Sequence, residues 1–151
     1  MKKKIKRIYL DVCTLSRPFD NQTFLRIKLE TEAVNLILSK IRAGKFDLVV
    51  SPVHWEEIGA ISAAFERIEL QERLKSLGKI VRVDLAAARN RAEELHNLKF
   101  GVADAAHVAF AEQWGAEFVS CDDSLIRKCS RHNIEIWCGN PVAFCEKEKL
   151  R

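Results

Sequence analysis

The apolar positions of this chain fall into short runs and helical stripes that alternate from end to end. Ile8-Tyr9-Leu10 is a continuous apolar run between lysines and Asp11, of a length that predicts a buried strand. Arg17-Pro18-Phe19-Asp20-Asn21 reads as a turn. Over 24–41, Leu25, Leu29, Ala33, Leu36, Ile37 and Ile41 recur at helical spacing with charges between them, and Gly44 stops the helix. A second strand is expected at 46–50. Ser51 then caps a helix that has Pro52 at its first position.

A polar helix over 66–77 ends at Gly78, and Ile80, Val81 and Val83 predict a third strand. Alanine-rich helices at 85–98 and 102–114 flank Phe100-Gly101. A fourth strand is expected at 117–120, a short helix at 124–130, a fifth strand at 134–137, and a tail helix opened by Asn140-Pro141. Strands that alternate with helices specify a parallel sheet covered on both faces. The expected fold is α/β, a three-layer α/β/α sandwich around a short parallel sheet. With no internal repeat or linker, residues 1–151 are expected to be one domain.

Composition agrees with a packed core: 48% of the 151 residues are hydrophobic, with only six Gly and three Pro. No apolar run approaches the roughly 18 residues that cross a bilayer. The basic start, Met1 to Arg7, resembles the opening of a signal peptide, but Asp11 interrupts the apolar stretch that should follow. A soluble, cytoplasmic protein is therefore expected. Five cysteines with no C-x-x-C pair fit neither a zinc ribbon nor a disulfide framework, and suit a reducing compartment. The net charge of +4 says little until the acids are located.

In open parallel sheets, ligands bind at the carboxyl ends of the strands, where strand order reverses. Asp11 directly follows the first strand, and Asp122 and Asp123 follow the fourth. Glu56 and Glu57 lie one to two turns into the helix after the second, and Asp104 sits early in the helix after Gly101. Carboxylates gathered in one place repel and raise each other's pKa unless a cation neutralises them. Oxygen ligands without His or Cys at ligand spacing favour Mg²⁺ or Mn²⁺ over zinc, and suit phosphoryl chemistry. The competing reading is local: Asp is favoured at helix N-caps, so Asp122 or Asp123 could simply cap the next helix, as Asp84 is expected to do. For Asp11 capping is the weaker reading, because Val12-Cys13-Thr14-Leu15 is a poor helix start.

Four segments resemble the motifs of the PIN-domain nucleases, the family that includes the VapC toxins. They are Ile8-Tyr9-Leu10-Asp11, Ser51-Pro52-Val53-His54-Trp55-Glu56-Glu57-Ile58, Ala103-Asp104-Ala105-Ala106-His107 and Phe118-Val119-Ser120-Cys121-Asp122-Asp123. Their register selects Glu57 over Glu56 and Asp122 over Asp123. The resemblance runs from Ile8 to about Trp137 and implies a PIN-like fold. It further implies a divalent-metal-dependent endoribonuclease in which Asp11, Glu57, Asp104 and Asp122 hold one or two Mg²⁺ or Mn²⁺ ions. A water activated there would attack an RNA phosphodiester in line and leave a 5′-phosphate. Thr14, Ser120 and Asp123 are candidate supports. The family often has Ser, Thr or Asn just after the first Asp, whereas here Thr14 comes third.

With those four of the 21 acids set aside, 17 remain against 25 bases, a basic surround suited to a polyanion. Arg17, Arg127 and Lys128 are the main candidate phosphate contacts, with Arg26 and Lys28, although each could be an ordinary solvated side chain. The resemblance also implies a possible antitoxin partner and a homodimer. The alternative is a catalytically decayed PIN-fold module acting in RNA binding or protein assembly. An aspartate phosphotransferase fits less well, since Cys13 stands where Asp-x-Asp needs its second acid and Cys138-Gly139 stands where a receiver-type protein needs Lys. Trp55 could stack on a base or pack beneath its helix. His107 could support the site or simply pack. Cys13 and Cys121 are expected near the acidic edge, either as redox-sensitive thiols or as inert small residues.

Overall fold

The computed structural model describes residues 4–151, so the first three residues of the basic start lie outside it. Five parallel strands form the sheet: β1 (Lys6–Leu10), β2 (Phe46–Val49), β3 (Gly78–Lys79), β4 (Glu117–Val119) and β5 (Cys138–Gly139). Their spatial order is β3-β2-β1-β4-β5. The chain builds outward from β1 on one side, then crosses back to place β4 on the other. Strand order therefore reverses between β1 and β4, and a crevice opens at their carboxyl ends.

Side-chain alternation along the strands produces the two outer layers. Ile8, Leu10 and Leu48 point to one face. There they pack with Val34, Ile37 and Leu38 of α2 (Leu25–Arg42), Ile58 of α3 (Pro52–Gly59), Leu70 and Leu74 of α4 (Ala64–Leu77), and Phe144 of α8 (Pro141–Lys147). Tyr9, Val49 and Phe118 point to the other face. They pack with α5 (Leu85–Asn97), α6 (Val102–Trp114) and α7 (Asp123–Arg131) through residues such as Leu95, Val108, Trp114 and Leu125. The result is the expected three-layer α/β/α sandwich.

The helix caps follow the sequence signals. Asp84 and Asn140 accept hydrogen bonds from the Ala87 and Ala143 backbone N–H groups. Gly115 ends α6 in the left-handed region, at φ 62°, where a side chain would be strained. Asp11 departs from expectation. The segment read as a poor helix start is a short helix, α1 (Val12–Leu15), and Asp11 caps it by accepting from the Thr14 N–H.

The two edge strands also depart from expectation. Pairing occupies Gly78–Lys79 and Cys138–Gly139, not the apolar runs at 80–83 and 134–137. Val81, Val83, Ile134 and Ile136 instead rest partly buried on the second core layer, while Ile80 is 90% exposed. Apolar character there marks contact with the core, and backbone pairing falls on its flanks. The third strand is displaced toward the helix because α4 runs straight into it. A Cβ on Gly78 would lie 2.5 Å from both the Leu74 carbonyl oxygen and Val50 Cγ2, so only glycine lets β3 abut β2 there.

Gly78→Ala is accordingly expected to destabilise the fold by about 1–3 kcal/mol, the usual cost of forcing atoms into a packed site. Urea unfolding with an unchanged m-value is the measurement. A loss below about 0.5 kcal/mol would show that β3 can move away from Leu74.

Candidate functional site

The crevice between β1 and β4 is lined by the ends of these strands and by the helices that follow. The register pairs Leu10 with Val119, and the Asp11 N–H extends the ladder to the Val119 carbonyl at 3.3 Å. Asp11 is thereby set beside Ser120, Cys121 and Asp122. Its carboxylate is buried, and Oδ1 alone accepts from the Thr14 N–H at 3.2 Å, the Thr14 hydroxyl at 2.5 Å and the Cys13 thiol at 3.2 Å. The Thr14 hydroxyl in turn accepts from the Cys121 N–H at 3.0 Å. Thr14, third after the aspartate, thus ties the first and fourth motifs together.

Ser120 is fully buried, and its hydroxyl accepts from the Asp122 N–H at 3.0 Å. Asp122 caps α7 through Oδ1, which accepts from the Leu125 N–H at 3.2 Å. The capping role weighed for this residue is therefore real. Asp123 faces another way: its two oxygens accept a fork of hydrogen bonds from Arg26, each 2.7 Å long. Arg26 also approaches the buried Glu30, as does Arg17, at 3.5 and 3.3 Å. Arg17, Glu30, Arg26 and Asp123 form an ionic chain from the turn before α2 to the start of α7, and Arg26 holds Asp123 below the usual carboxylate range.

Asp104 occupies the first turn of α6 and is half-buried. Burial pushes its carboxyl upward first, and the negative charges of Asp122 and Asp11 push it further; His107 pulls the other way, and Glu57 adds the weakest push. The four acids are therefore within electrostatic reach of one another although they come from four separate segments. Glu57 is bonded to the Nε2 of His107, while Glu56 faces solvent away from it and lines a groove with Leu85 and Arg89. The structure thus separates the two glutamates as the register did.

A divalent cation fits the chemistry of this donor set, which consists of carboxylate oxygens around a half-buried acid already disfavoured by like charge. Among the described residues, however, no three His, Cys, Asp or Glu side chains stand close enough together to hold an ion as placed. Each of Asp11, Glu57 and Asp122 is engaged in a local hydrogen bond through one oxygen.

The remaining candidates divide. Arg127 is exposed beside Asp123, and Lys128 donates to the Lys99 carbonyl at 2.9 Å. Lys28 is exposed on α2. Trp55 packs partly buried against the first core layer. Burial pushes the Cys121 thiol up to about 11; Cys13 is an exposed residue, but its sulfur turns inward to donate to Asp11 and is raised by that shelter and by the Asp11 charge, so both thiols keep their protons at neutral pH, a state that slows oxidation.

Sequence reasoning missed a buried polar network beneath the site. Tyr9 and His54 are fully buried, and His107 nearly so. The Tyr9 hydroxyl lies 2.7 Å from Ser51 Oγ and 2.5 Å from His107 Nδ1. His54 donates from Nε2 to the Leu10 carbonyl at 2.7 Å and accepts at Nδ1 from the Ser51 N–H at 3.0 Å, so it is neutral. A polar tip on the middle residue of an apolar run, with Ser51 and His54 at one helix start and His107 one turn after Asp104, was the available signal.

The fold and site define a three-layer α/β protein with acids gathered at the switch point of its sheet. A PIN domain family model matches residues 9–130, and the chain belongs to that family. PIN domains are typically metal-dependent nucleases. Among solved structures, the chain is similar to the crystal structure of FitAcB from Neisseria gonorrhoeae. The TM-score is 0.54 at 16% identity, covering 89% of this chain and 97% of that one, a likeness of fold. No curated protein sequence matches the chain significantly. Among the described residues, no helix is long and apolar enough to cross a membrane.

Burial lowers the His54 pKa to about 3, so the folded state resists a proton that the unfolded chain accepts near 6.5. Stability contributed by neutral His54 is complete above 6.5 and drains away as pH falls toward 3, by up to about 1.4 kcal/mol per pH unit. Urea unfolding between pH 7 and 5, above the range of ordinary carboxylates, is expected to show this slope. A His54→Gln variant should flatten it, and an equal slope in that variant would assign it elsewhere.

Proposed function

We propose that this protein is a divalent-metal-dependent endoribonuclease whose Asp11, Glu57, Asp104 and Asp122 hold Mg²⁺ or Mn²⁺ at the switch point of the sheet. The observation that carries this reading is the pairing of β1 with β4, which brings Asp11 beside Asp122, with Asp104 raised first by burial and then by the charges of those two acids. Sheet order, parallel register and helix placement combine to gather like charges, an arrangement that costs stability unless a cation offsets it. A divalent cation held there lowers the pKa of a water and stabilises charge on a phosphate oxygen.

The chain's own residues supply the rest. Asp11 and Asp122 each have one oxygen committed to their helix caps and the other left for a ligand. Thr14 and Ser120 fix the backbone of both segments, while Asp123 restrains Arg26 at the rim. Arg17, Arg127 and Lys128 would draw in the phosphate backbone of RNA, and their contribution should weaken with salt. As the resemblance to VapC toxins implies, we place the protein in the cytoplasm as a homodimer with an antitoxin partner. Exposed Leu25 and Leu29, beside Val142, offer apolar surface that such a partner would cover.

Cleavage of a panel of RNAs with Mn²⁺ or Mg²⁺ should be lost on chelation. Asp104→Asn is expected to lower the rate at least about 100-fold, since loss even of a residue supporting a metal ligand typically costs 10–100-fold. The same variant should leave metal-free protein more stable at pH 7. A raised carboxyl contributes stability only below its unfolded pKa and loses it as pH rises through the folded value, so ionised Asp104 is a cost that asparagine removes. RNA cleavage by Asp104→Asn at the wild-type rate would exclude Asp104 as a ligand. RNA binding without cleavage in the wild type would support the decayed-module alternative instead.

A further inference from the structure

We infer that His107 is a positioning residue that holds the Glu57 carboxylate for metal binding, as the last link of a hydrogen-bond relay from Ser51 through Tyr9. The inference rests on the metal-dependent nuclease reading above. His107 follows Asp104 by three residues on α6, so ring and carboxylate share one helix face. Its ring is buried, with Nε2 bonded to Glu57 Oε1 and Nδ1 lying 2.5 Å from the Tyr9 hydroxyl.

The Glu57 carboxylate only accepts, so Nε2 of His107 donates to it. Nδ1 on the far side of the same ring meets the Tyr9 hydroxyl, and the Ser51 hydroxyl lies 2.7 Å beyond. Tyr9 cannot drift: it stands in the central strand and its ring stacks on Phe118 at 5.6 Å and lies 4.5 Å from His54. His54 bonds the Ser51 N–H and the Leu10 carbonyl, fixing the start of α3 against the end of β1.

The relay therefore begins at the first turn of α3 and returns, through β1 and α6, to a side chain on the second turn of α3. Glu57 is 37% exposed and has a flexible stem, so its helix alone leaves the carboxylate free to rotate. The bond from His107 fixes Oε1 and leaves Oε2 outside the relay. Tyr9 by itself would satisfy His107 at Nδ1; the second bond, to a side chain that reaches solvent, is what a merely packed histidine lacks.

The test is Mn²⁺ binding to RNA-free protein, read from the paramagnetic resonance of the free ion, beside RNA cleavage. His107→Ala is expected to weaken Mn²⁺ binding about 10–100-fold, the usual loss when the partner of a metal ligand is removed. The Mn²⁺ needed for half-maximal cleavage should rise with it, while KM for RNA at saturating Mn²⁺ changes less than about twofold. His107→Gln, with an amide N–H to offer Glu57, should recover part of the affinity. Tyr9→Phe keeps the packed ring and removes only the hydroxyl, so it carries the test should His107→Ala fail to fold; a loss of about 3–10-fold is expected. Wild-type Mn²⁺ affinity in Tyr9→Phe and in folded His107 variants overturns the inference and leaves the nuclease reading standing. A wild-type protein without Mn²⁺-dependent RNA cleavage overturns both.

Discussion

The parallel pairing of β1 with β4 is the constraint on which the candidate site depends. These strands are separated by more than a hundred residues, and the intervening chain has already built the β2–β3 side of the sheet before β4 returns to the other flank of β1. Register is strict because both strands are buried on both faces: a slip of one residue would exchange Tyr9 with Ile8 or Leu10 and drive a hydroxyl into the wrong layer. With register fixed, Asp11 and Asp122 must emerge side by side. The Thr14 hydroxyl then bridges the two segments, accepting from Cys121 while donating to Asp11.

The acids that line this edge are provided for differently at each position. Asp11 gathers donors on one oxygen, Asp122 faces the amino end of a helix, and Glu57 has the imidazole of His107. Asp104, early in α6, is raised by burial first and by the charges of Asp122 and Asp11 after it. Such uneven provision is characteristic of functional sites, where local stability is given up for chemistry.

Most of this arrangement was legible in the amino-acid sequence. Helix periodicity, the Ser51-Pro52 start and the alternation of elements specify the three layers, and the spacing of acids after strands points to one edge. The edge strands were not legible, because Val81, Val83 and Ile136 carry an apolar signal that reports contact with the core and says nothing of backbone partners, while Ile80 faces solvent. Asp11 as a cap was missed because helix propensity is weak over four residues and tertiary contact decided the matter. The Tyr9–His107–Glu57 relay was legible only in part: Glu57 and His107 stood out singly, but Tyr9 resembles an ordinary core residue and the three lie far apart in sequence.

The brevity of β3 and β5 has a consequence for assembly. Two paired residues at each margin leave few open amide and carbonyl groups, and at β3 Lys79 adds a charge, paired with Asp47 at 3.2 Å. A foreign strand would find only a short template there. Helix surfaces and the loops at the carboxyl edge offer a macromolecule more to engage, and there side chains rather than main chain decide the match.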